Sequence, residues 1–87
     1  MSKEKQLLMY INTTEKAIIS GEDHLDRLED RLGDLTYEVG LLIDRGIDNQ
    51  QSKAQLDALV LRIEEKKAYI KGKKEKLNRL EEEYMLL

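Results

Sequence analysis

Residues 7–42, LLMYINTTEKAIISGEDHLDRLEDRLGDLTYEVGLL, decide the fold. Within them Leu7, Ile11, Thr14, Ile18, Gly21, Leu25, Leu28, Leu32, Leu35, Val39 and Leu42 follow one another in alternating steps of four and three, without a break. That repeat winds onto one stripe of an α-helix, with Ile11, Ile18, Leu25, Leu32 and Val39 at heptad position a and Leu7, Leu28, Leu35 and Leu42 at d. A stripe of this kind needs a second helix. The other half of the chain offers one through Leu56, Leu59, Ile63, Ile70, Leu77, Leu80, Tyr84 and Leu87.

The two stripes are separated by Arg45-Gly46-Ile47, which reads as a left-handed helix C-cap. With Gly46 just past the cap, Ile47 and Leu42 are the pair that makes the hydrophobic contact of a Schellman motif. The second helix has two capping-box starts, Asp48 with Gln51 or Ser52 with Gln55, and Asp48 is preferred. A link this short makes the helices antiparallel neighbours. The expectation is therefore an all-α fold: an antiparallel two-helix coiled-coil hairpin forming a single domain over 1–87. A helix from about 3 to 45, a turn at 46–49 and a helix from about 50 to 87 make it up. Gly21 and Gly72 lie at similar heights on the two arms and are candidate points for a bend; a break at Gly21 would give three helices instead.

Charge gives an independent reading of the pairing. Glu22, Asp23, Asp26, Glu29, Asp30, Asp34, Glu38 and Asp44 face only Arg27 and Arg31 in their stretch, whereas residues 62–79 carry eight basic side chains against Glu64, Glu65 and Glu75. Antiparallel pairing of residues whose numbers sum to about 95 lays the acidic stretch beside the basic one. Lys66 and Lys73 then fall at d positions, their stems on the seam and their ammonium groups directed toward carboxylates of the first helix.

Composition narrows the classes of function. The chain has 87 residues with no Pro, Phe, Trp or Cys and 38% charged side chains, a composition for long helices rather than for a compact α/β core. Absence of Cys removes thiolate metal sites and Cys nucleophiles and fits a reducing compartment. No apolar run approaches the roughly 20 residues of a membrane span, so a cytoplasmic protein is expected. His24 is the only His; its neighbours Asp23 and Asp26 point to other faces of a helix, and it reads as a solvated g-position residue. No metal, no cofactor and no catalytic set is expected.

What remains is surface. Leu8, Met9 and Tyr10 surround the first seam residues, and Tyr84, Met85, Leu86 and Leu87 end the second helix; hairpin pairing brings these two runs together at the open end. A second patch is expected nearer the turn from Tyr37, Leu41 and Leu61, with Ile43, Ala58 and Val60 beside them. A two-stranded seam does not by itself offset the entropy of ordering so long a chain, so association into a helical bundle is expected. The favoured function is a non-enzymatic protein-interaction module, an adaptor, inhibitor or assembly factor that forms a homo-oligomer or binds a larger protein. Such a profile fits a phage or mobile-element accessory protein.

Two alternatives follow from charge. Lys66, Lys67, Lys71, Lys73, Lys74 and Lys76 form a basic stripe, and the expected architecture resembles that of the plasmid Rop hairpins, which bind RNA by a helix face. Asp44 and Asp48 flank the turn, and in outline the rod resembles the transcript-cleavage (Gre) factors, which present an acidic tip to a polymerase. Both likenesses are of shape alone and rest on no sequence motif. The net charge of −3 argues against general nucleic-acid binding.

Overall fold

A computed structural model describes residues 2–87 and shows two helices, α1 (Lys3–Asp44) and α2 (Gln50–Met85), packed along their length as an antiparallel hairpin. The rod measures 65 × 17 × 14 Å. It is two helices wide and one helix thick, so each helix can bury only the stripe facing its neighbour.

That stripe is the heptad seam. In α1 the buried or half-buried positions are the eleven seam residues from Leu7 to Leu42, joined only by Ala17. Across from them stand Leu56, Leu59, Ile63, Lys66, Ile70, Lys73, Leu77, Leu80 and Tyr84, preceded by Asn49 and Ser52 on the same spacing. Leu28, Leu59 and Ile63 form the best-packed part of the interior, with Leu25, Leu32 and Leu35 against them. Thr14 is buried and satisfied, its Oγ1 donating to the Tyr10 carbonyl at 2.7 Å. Leu87, expected to continue the seam, lies beyond the end of α2 and is exposed.

The ends of the helices have local causes. Ser2 caps α1 by accepting from the Lys5 amide at 3.2 Å. At the other end Gly46 takes φ 73°, the Ile47 amide donates to the Leu42 carbonyl at 2.9 Å, and the Gly46 amide donates to Ile43 at 2.9 Å. This pair of bonds is the Schellman motif read from the sequence. Capping of α2 differs from expectation: the cap is Asn49, whose side chain accepts from the Ser52 amide at 3.1 Å. Asp48 instead pairs with Lys53 at 3.1 Å. Since Ile47 is held by its bond to Leu42, one extended residue is needed before α2 can start, and capping moves from Asp48 to Asn49.

α1 runs through Gly21 unbroken, so neither a third helix nor an interruption occurs there. Gly21 serves close approach: a Cβ at this position would stand 3.1 Å from Ile70 Cγ1. The contact also corrects the register. A sum of about 95 would put residue 74 across from Gly21, yet the seam brings Ile70 there and packs Ile63 with Leu28, one helical turn nearer the linker. Only the flank obeys the charge-based estimate, Lys74 meeting Glu22 at 3.1 Å. Charges on the flanks report the flank offset, whereas interlocking of side chains sets the seam.

The remaining helical glycines give a stability prediction. Gly33, Gly40 and Gly72 are exposed, and an added Cβ would meet nothing within 4 Å. Changing each to Ala should stabilise the fold by about 0.5–1 kcal/mol. Gly46→Ala should destabilise by about 1 kcal/mol, because its backbone is left-handed. Urea unfolding of the four variants checks this; equal effects at Gly46 and Gly72 would contradict it.

Candidate interaction surfaces

The open end of the rod carries the first set of expected contact residues. Leu8, Met9 and Tyr10 are each about half exposed, and Met85, Leu86 and Leu87 are more so, at 83, 88 and 62%. Tyr84 is different in kind: it sits half-buried on the seam and its Oη donates to Glu4 Oε1 at 3.4 Å, joining the two chain ends. The rim is therefore an apolar surface around a tied pair of termini.

Nearer the turn Tyr37, Leu41 and Leu61 are exposed, with Ile43, Ile47 and Val60. Tyr37 and Leu61 both occupy the outermost f position, on different helices, so they point to opposite sides of the rod. Leu41 lies at c, one turn from Tyr37 on the same helix, so Tyr37 and Leu41 share a face from which Leu61 is separated.

The lysines divide likewise between two flanks. Lys67, Lys71 and Lys74 line an open groove of about 600 Å³ with Glu22 and Asp26 of α1, floored by Leu25 and Ile70. Lys66 lines a groove of about 330 Å³ on the other flank, with His24, Leu28, Arg62, Glu65 and Tyr69. Neither seam lysine reaches a carboxylate of α1 as expected. The Nζ atoms of Lys66 and Lys73 lie 5.0 and 5.5 Å from the centre of the Tyr69 ring. Tyr69 is three residues from one and four from the other, the spacing that places side chains together on a helix, and its electron-rich face takes the two ammonium groups. That spacing was available in the sequence. Lys76 is exposed on the Tyr69 side.

His24 is exposed, and among the described residues no group of three or more His, Cys, Asp or Glu is placed to hold a metal ion. Among the described residues no helix is long and apolar enough to cross a membrane. At the tip, Asp44 closes α1 while Asp48 is engaged by Lys53. The chain matches no known family, no curated protein and no solved structure.

Proposed function

We propose that this chain is a non-enzymatic protein-interaction module of the cytoplasm, a coiled-coil hairpin that associates with a second copy and offers the rim of its open end to a larger protein. One observation carries the reading. Among the described residues seven apolar side chains are buried, while fourteen large apolar side chains are exposed. A lone rod leaves these side chains in water, and further burial is what association supplies. Met9, Tyr10 and Leu86 suit adaptable contacts, Met being flexible and polarizable and Tyr amphipathic.

Sedimentation equilibrium tests the reading. The protein should be a dimer at tens of micromolar, and Leu8→Asp/Met85→Asp should weaken the dimer at least tenfold. Helicity should stay unchanged, because neither residue is on the intramolecular seam. A stable monomer with a sharp thermal transition would remove the self-association reading.

A further inference from the structure

The two flanks of the rod carry different arrangements of charge. On one, α1 supplies Glu22 and Asp26 and α2 supplies Lys67, Lys71 and Lys74 with a single carboxylate, Glu75, so the α1 wall is acidic and the α2 wall mainly basic. Glu15 and Glu29 extend the acidic side by one heptad each way. On the other flank basic side chains from both helices meet, with Arg31 beside Arg62 in one groove and Arg62 and Lys66 beside Glu65 in the next. Exposed aliphatic residues also favour the first flank: Leu8, Ile19, Ile43, Val60 and Met85 all take its e or b positions.

We propose that the flank of Glu22, Asp26, Lys67 and Lys71 is the surface on which a second copy of this chain docks. The two copies form a two-fold dimer with both turns at the same end and each α1 lying over the α2 of its neighbour. This inference rests on the self-association reading above and adds the face and the symmetry axis.

Charge selects both. A two-fold axis parallel to the rod brings the acidic wall of each copy onto the basic wall of the other at the same height, since Glu22 and Lys74 already stand level within one chain. An axis across the rod would instead lay α1 on α1, carboxylates on carboxylates. On the opposite flank the parallel axis would set Arg31 against Arg62. Among the described residues Lys74–Glu22 is the one ion pair within this groove, so Asp26, Lys67 and Lys71 keep their charges for a second copy. Like-charge juxtaposition disfavours wrong pairings more strongly than surface ion pairs favour the right one, so the charges act mainly as selectors. The aliphatic residues supply the contact. The result is an antiparallel four-helix bundle.

The test is a charge-swapped pair. Asp26→Lys/Glu29→Lys reverses two charges of the acidic wall, and Lys67→Glu/Lys71→Glu reverses two of the basic wall. Each variant alone should dimerise at least tenfold more weakly than the unaltered protein, and an equimolar mixture should recover the dimer, read by sedimentation equilibrium with circular dichroism as the check on folding. If either double variant loses helicity, the single changes Asp26→Lys and Lys71→Glu, outside the seam, take their place with the same expectation. Variants that dimerise as well as the unaltered chain, or that fail to recover on mixing while still helical, would overturn the docking face and leave self-association standing. A monomeric unaltered protein would overturn both.

Discussion

Replacing Ile63 by Asp is expected to unfold the hairpin, with the helical circular dichroism signal lost at room temperature. Ile63 is 4% exposed and packs with Leu28 and Leu59, the best-buried cluster in the rod. An isolated carboxylate there has no cation or donor in the cluster to meet it, and the alternatives are a buried charge or a separated pair of helices. Changes of this class cost more than about 4 kcal/mol, against a total stability of about 5–15 kcal/mol for ordinary domains. A two-helix rod has no second core to fall back on. Leu61→Asp, two residues away and 60% exposed, is the control and should leave the spectrum as it is. Equal loss in both variants would mean that α2 presents a different stripe to α1.

The seam was legible because its signal is redundant. Eleven positions of α1 repeat without a break, and burial of Leu7, Thr14, Ile18, Gly21, Leu28 and Val39 follows the same phase, even where the residue is Thr or Gly. The turn was legible for a different reason: Gly46 is the one residue there able to take the left-handed backbone at no steric cost, and Leu42 and Ile47 bracket it at the required spacing. The features misread were those in which neighbouring choices differ by small energies. Asp48 and Asn49 are both good caps, and the choice between them depends on how many residues the Schellman motif consumes. The seam register escaped because charge patterning speaks for flank positions, where Lys74 does meet Glu22, and not for the interlocking layers one turn away.

The surfaces were legible as lists of residues and not as faces. A run such as Leu8-Met9-Tyr10 is contiguous in sequence, yet successive residues on a helix point about 100° apart. The six lysines likewise read as a stripe along the chain, and the fold sends Lys66 and Lys73 to Tyr69 while Lys67, Lys71 and Lys74 line the opposite groove. Resolving them needed the seam phase applied to every charged residue. That phase sets Glu22, Asp26, Lys67, Lys71 and Lys74 on one flank and Arg31, Arg62 and Lys76 on the other.

Lys66→Leu/Lys73→Leu is expected to raise stability and lower specificity together. Both lysines are half-buried on the seam, where the repeat calls for an apolar residue, and each gains only a contact with the exposed Tyr69 ring. A cation–π contact at an exposed site is worth about 0.5–1 kcal/mol, whereas a fully buried Leu is worth about 1.5–3 kcal/mol. With partial burial the exchange should still favour Leu by about 1 kcal/mol at each position, seen as a higher urea midpoint. The cost lies elsewhere. Polar seam residues stabilise one alignment over its neighbours, because a shifted pairing would push an ammonium group against leucines with no route to solvent. With both lysines replaced, α2 becomes apolar at every seam position from Leu56 to Tyr84, and its stripe can pair in more than one register or with more than one copy. Sedimentation of the double variant should therefore show a mixture of oligomers where the unaltered chain shows one species. A fall in stability would mean that the two ammonium groups over Tyr69 hold the rod together more strongly than apolar burial can, and a single sharp species would mean that Asn49, Thr14 and the close approach at Gly21 fix the register without them.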